Sequence, residues 1–176
     1  DAKPMKDPRG LKWGWKKMET HQVIQQLSHP RPCIRHRAMA ELAKEGAGAI
    51  DPLKFWVINA KTATDRRNAV WALTRINHPS ARVIIRTALR DRDPSVQQAA
   101  AHAAGIYRDA AAIPQLIKLL KSKSLHLRRE AATALGCIGD KQAVPVLLAA
   151  SQAGNGRVLE HSLTYALIEI GDAKGT

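Results

Sequence analysis

The sequence predicts an all-α chain in which about five helical hairpins stack into an α-solenoid, and three observations predict it. Ala, Leu, Arg, Lys, Gln and Glu dominate the chain while aromatics make up only 4%, and the dominant side chains lose little rotamer freedom in a helix. One spelling recurs, "RRNAVWALTRI" at 66–76 returning as "RREAATALGCIGD" at 128–140. Gln97 falls midway between Arg66 and Arg128, and the same step runs back to Arg35 and on, after one inserted residue, to Glu160.

The second helix of each hairpin follows from this register. The third residue after each anchor is Ala38, Ala69, Ala100, Ala131 and Leu163, and the seventh is Leu42, Leu73, Ala104, Leu135 and Leu167. Small and apolar residues at spacings of three and four form a buried helical stripe, and Ala in that stripe lets neighbouring helices approach closely. A first helix precedes each second one, with Leu27, Ile58, Leu89 and Leu120 marking the ends of the apolar segments at the same constant step. The stretches "SHPRPC", "RDRDPS" and "KSKS" turn the chain inside hairpins, whereas "HPSA", "RDAAAIP" and "GDKQAVP" join one hairpin to the next. Pro114 and Pro145 fall at equivalent sites and suit a first helical turn, where no amide donor is missed. Gly139-Asp140 ends the helix before.

One hairpin of this length cannot bury its apolar face, but stacked hairpins supply one another's core. The expected organisation is a basic, extended leader over 1–18, a single solenoid over 19–172 and a tail over 173–176. The leader carries Lys3, Lys6, Arg9, Lys12, Lys16 and Lys17 among Pro and Gly. The chain does not open on Met and is read as a mature form or a segment of a larger polypeptide, acting as a monomer or within that chain. No apolar run approaches the roughly 18 residues of a membrane span. Localisation is left open between the cytoplasm and, for a piece of an exported protein, the periplasm.

Segments such as "DRDPSVQQAAAHAAG", "LRREAATALGCIGDKQAVPVLLAA" and "DRRNAVWALTRI" resemble HEAT-type repeats, in particular the short phycobilisome-lyase HEAT-like subclass, over roughly residues 20–172. The closing "RVLEHSLTYALIEIGD" resembles the HEAT segment of large exported bacterial proteins that join a PQQ-dehydrogenase-like propeller to a c-type cytochrome module. The resemblance implies a fold and leaves activity open, because such repeats serve scaffolds, adaptors and some enzymes. It also implies that an Arg opening the second helix reaches the preceding turn. Arg35, Arg66 and Arg128 are therefore read as structural, with Asp93 offered as a partner in one turn and Gln97 standing where that unit's Arg would be. Cations at a helix start oppose the dipole, so these positions need such compensation.

In such a stack the second helices line the concave wall. With the third, sixth, seventh and tenth positions buried, the first and fifth face away from the core. These are His36 with Ala40, Arg67 with Trp71, Gln98 with His102, Arg129 with Thr133, and His161 with Tyr165. Guanidinium groups and exposed rings grip carboxylates, phosphates or aromatic side chains. The net charge of +13 points to acidic partners. The expected function is a non-catalytic scaffold whose basic, aromatic-bearing wall binds an acidic or extended protein segment, with nucleic-acid binding by the same wall as the alternative.

Catalytic and metal chemistry find little support. His36, His102 and His161 belong to alternate hairpins, on the order of 20 Å apart when helices pack at 8–10 Å, and one metal cannot join them. His21, His29, His78 and His126 are expected exposed near helix ends or turns. The HEAT-like metal hydroxylases use repeated His-Glu pairs, and here only the reversed Glu160-His161 occurs. Cys33 and Cys137 are expected to be free thiols, and no Cys-x-x-Cys-His is present to attach haem. A HEAT-like DNA glycosylase would need Trp and Asp in a basic wall, and Trp71 has only Asp65 nearby in sequence. The chain is thus expected not to be an enzyme and to need no cofactor or metal.

Overall fold

The computed structural model describes residues 7–152 and 156–175. Among them there are ten α-helices and no strand: α1 (Thr20–Gln25), α2 (Pro32–Glu45), α3 (Ile50–Asn59), α4 (Ala63–Leu73), α5 (Pro79–Ala88), α6 (Pro94–Ile106), α7 (Ile113–Leu119), α8 (Leu125–Ile138), α9 (Val144–Ser151) and α10 (Arg157–Ile170). In chain order α1 packs on α2, α3 on α4, α7 on α8 and α9 on α10. The fold is all-α, as the periodicity predicts.

Two compact units divide the chain between Ala81 and Arg82, inside α5. In the first, α2 and α4 pack side by side, with Ala38, Leu42, Ala69 and Leu73 fully buried. In the second, α6, α8 and α10 pack in sequence, and Ala100, Ala131, Leu135 and Leu163 are equally buried. Leu167, the last member of the row, is half-buried.

Local chemistry sets the helix ends. Thr62, Asp93 and Ser124 each accept a backbone N–H in the first turn of α4, α6 and α8, which satisfies one of the donors left open there. Pro114 and Pro145 stand in the first turns of α7 and α9. Gly139 closes α8 in the left-handed conformation, φ 76°, which only Gly adopts without a Cβ penalty.

Leu27, Ile58, Leu89 and Leu120 stand at the ends of their first helices. Of the four, Ile58 is exposed, at 59%, since Leu53 and Val57 take the inward face of α3. One expectation needs correction. The leader, expected to be extended, is folded from Asp7 onward; Lys3 and Lys6 lie outside the described residues. The Asp7 carboxylate accepts the N–H groups of Leu11 and Lys12 at 2.8 Å, and the Trp15 indole, buried, donates to Gly10 at 2.7 Å. The Arg37 side chain bonds the Arg9 carbonyl at 3.0 Å, and the Cys33 thiol the Pro8 carbonyl at 3.2 Å. Trp13 stacks on Trp15, takes the His29 ring edge-on at 5.0 Å and lies under the Arg31 guanidinium at 5.4 Å.

Candidate functional site

The anchor positions fix where the wall residues point. In the first unit Arg35 donates through Nη1 to the carbonyls of His29 and Pro30 at 2.8 and 2.9 Å. Arg66, buried to 3% exposure, does the same to Ala60 and Lys61 at 3.0 and 3.3 Å. In the second unit Gln97 stands at this position and donates to the Asp91 carbonyl at 2.7 Å. Each long side chain folds back to close the turn before its helix, which offsets its desolvation with charge-assisted or amide hydrogen bonds. Asp93 receives Ser95 at the start of α6, with N–H and Oγ distances of 2.8 and 2.6 Å. Arg128 is half-buried.

The outward positions lie as follows. On α2 and α4 of the first unit, His36 is exposed and Arg67 and Trp71 are half-buried. On α6, α8 and α10 of the second unit, His102, Thr133, His161 and Tyr165 are exposed and Gln98 and Arg129 half-buried. The wall also carries acids that the register did not place there. A Glu130 carboxylate oxygen on α8 lies 2.8 Å from the His102 Nδ1 across the α6–α8 seam. Glu169 holds the Tyr165 hydroxyl, and that hydrogen bond, then the carboxylate charge, push the phenol above its ordinary range.

Positive charge is therefore not spread evenly. Helix α6, "PSVQQAAAHAAGI", has no Lys or Arg. On the second helices of the second unit the cations, Arg128, Arg129 and Arg157, stand where α8 and α10 begin. There a hollow of about 420 Å³ is lined by Leu125, His126, Arg129, Arg157, Val158 and Leu159. Leu125 and Val158 are 56% and 64% exposed, so apolar surface lies open between two guanidinium groups and an imidazole. Sequence reasoning missed Leu125, Arg157 and Val158 because none falls on a first or fifth position. It treated His126 as one of several scattered histidines. The available signal was the absence of acidic residues from the first turn of α8.

The scattered histidines also need correction. His21 and His126 are exposed, but His29 and His78 are half-buried. Each Nδ1 accepts the N–H two residues on, from Arg31 at 3.0 Å and Ser80 at 3.2 Å, because each precedes a Pro that turns the chain. Cys33 and Cys137 are both free thiols. Asp65, the acid nearest Trp71 in sequence, accepts the Ser28 hydroxyl at 2.5 Å. Among the described residues no group of three or more His, Cys, Asp or Glu side chains is placed to hold a metal ion.

Comparison with known proteins bears on this geometry. A rice relative (Oryza sativa subsp. japonica) named deoxyhypusine hydroxylase-B is 37% identical over 90 residues, 50% of this chain and 30% of that protein. The Arabidopsis thaliana deoxyhypusine hydroxylase is 34% identical over 110 residues, 61% of this chain and 31% of that protein. The chain thus spans about a third of the length of the curated relatives it matches. Among solved structures, the complex of CpcE and CpcF of phycocyanin lyase from Nostoc sp. PCC7120 matches with a TM-score of 0.68 at 21% identity, over 90% of this chain and 67% of that one. No described helix is long and apolar enough to cross a membrane.

These relatives overturn the expectation that the chain is not an enzyme. That expectation rested on the lack of a convergent set of ionisable groups, the reversed Glu160-His161 among its grounds, whereas the match to proteins named as hydroxylases runs over 90 residues and more. A missing local motif speaks to one ligand set and not to the scaffold that carries it. A model of HEAT repeats matches residues 50–123 and 107–168, and the chain belongs to the HEAT-repeat family.

Proposed function

We propose that the chain binds an acidic, extended protein segment along the outward positions of its second helices. His36, Arg67 and Trp71 serve in the first unit, and Gln98, His102, Arg129, Thr133, His161 and Tyr165 in the second. One observation carries the reading: His126, Arg129 and Arg157 surround open apolar surface at Leu125 and Val158. An aliphatic side chain entering that hollow would bring flanking carboxylates to the guanidinium groups, and charge complementarity of this kind gives specificity and rapid association. Hot spots of this composition, Arg around a small apolar pocket, are common at protein interfaces.

Fluorescence anisotropy with a labelled peptide of alternating Glu and Leu tests the reading. Binding is expected, with Arg129→Glu weakening it about tenfold, as for a charged group at an interface. A labelled single-stranded oligonucleotide is the control. If the oligonucleotide binds tighter than the peptide and its affinity falls steeply with salt, counterion release identifies a nucleic-acid surface instead. Absence of binding to both ends the proposal.

The 37% identity to a named enzyme favours a second reading, in which the chain contributes to a deoxyhypusine hydroxylase. The donor set does not fit a resident metal within the described residues. Mass spectrometry of a deoxyhypusine-bearing protein incubated with the chain, dioxygen and a two-electron reductant tests it. A gain of one oxygen supports the reading and an unchanged mass rejects it.

A further inference from the structure

Helices α7 and α9 occupy the same place in successive hairpins, and the comparison between them exposes a site. Their sequences, "IPQLIKL" and "VPVLLAAS", align without a gap, so Gln115 matches Val146, Lys118 matches Ala149 and Leu119 matches Ala150. Gln115 reaches across its junction to the Leu89 carbonyl at 3.5 Å, and Leu119 is buried to 6% exposure. Val146 has no polar arm and Ala150 stops at Cβ. Ala88, at the same place in α5, is short but buried, so a short side chain opens space only where the neighbouring long ones are lost as well.

At this junction the space is open. A hollow of about 370 Å³ lies between the ends of α7 and α9 and the starts of α8 and α10. Leu159 and Leu163 are among its most buried lining residues, and Ile117, Leu120, Val146 and Ala150 contribute further apolar surface. Exposed Lys121 and half-buried Arg128 also line it. No Asp or Glu is among the described lining residues. An apolar cavity of this size with a few convergent polar groups has the character of a small-molecule site.

We propose that this hollow binds a medium-chain fatty carboxylate, its alkyl chain against Leu159, Leu163 and Val146 and its carboxylate at Lys121 and Arg128. The apolar lining selects an alkyl chain, since burying it removes apolar surface from water. The two cations select the anionic head over an alcohol or an amine. The site is independent of the protein-binding surface proposed above, although Leu159 lines both hollows.

Displacement of dansyl-undecanoate from the full chain by decanoate tests the proposal. Ala150→Leu restores the side chain that α7 carries at the same place. It is expected to abolish probe binding while leaving Tm unchanged or raised. Lys121→Glu is expected to weaken decanoate up to about fivefold, the range of an exposed ion pair, and to leave decanol unaffected. Retained probe binding in a folded Ala150→Leu variant overturns the site. Displacement by decanol as strong as by decanoate overturns the assignment of the head group.

Discussion

Both units close turns with a side chain on a backbone carbonyl, Arg35 and Arg66 in the first and Gln97 in the second, but they join successive helices by different means. In the first, Asn68 on α4, buried, donates to the Leu27 carbonyl at 2.8 Å. The second brings backbones together. At the register position where the first unit has Thr74, the second has Gly105 and Gly136. A Cβ on Gly105 would stand 3.0 Å from the Ala134 Cα, and one on Gly136 only 2.7 Å from the Ala166 Cα. One register thus supports polar bracing in one place and close helix contact in another.

The sharpest way to break this contrast is Gly136→Val. The obstructing atom is backbone and cannot rotate away, so the variant is expected to lose about 3 kcal/mol, the upper end of overpacking costs. Thr74→Ala, at the same register position, is expected to cost less than about 1 kcal/mol because its hydroxyl bonds the Val70 carbonyl of its own helix. Urea midpoints of the two variants measure the difference. Equal losses would mean that the seams are alike.

Arg66→Met probes the polar bracing. Removing a buried cation that serves two carbonyls is expected to cost about 2 kcal/mol, against about 1 kcal/mol for Gln97→Met, which removes one neutral hydrogen bond. The same urea titration reads both. A smaller loss for Arg66→Met would show that the guanidinium gains no more than an amide does.

A third difference depends on pH. Burial first, then the charges of Arg31 and Arg35, hold the His29 imidazole below its ordinary 6.5. The unfolded chain therefore takes up this proton more readily than the folded one. The His29 contribution is fully present above pH 6.5 and is lost as pH falls through 6.5 toward the lower folded value. Thermal unfolding should show Tm falling over that window, with a smaller fall in His29→Gln. The smallest effect is expected at the exposed His102–Glu130 pair, where Glu130→Gln should change stability by under about 1 kcal/mol at neutral pH.

Much of the layout was legible because Ala-rich second helices repeat at a constant step, and a constant step fixes which residues share a layer. The reading slipped where non-local contacts gave order to a polar stretch, as when Asp7 and Trp15 folded the leader onto α2. The wall positions followed from helical geometry, but their electrostatics did not. Glu130 meets His102 across a seam, a pairing absent from either helix alone. The open patch at Leu125 and Val158 arises at helix starts, where the periodic argument has least grip. The expectation of no catalysis failed for a related reason, since missing local motifs do not report a match spread over 90 residues.

Hydrogen exchange read by mass spectrometry, with and without the Glu-Leu peptide, tests the binding surface most directly. The account predicts slowed exchange at the starts of α8 and α10, around Leu125–Arg129 and Arg157–Leu159, and no change in α7 or α9. Slowing confined to α7 and α9 would contradict it.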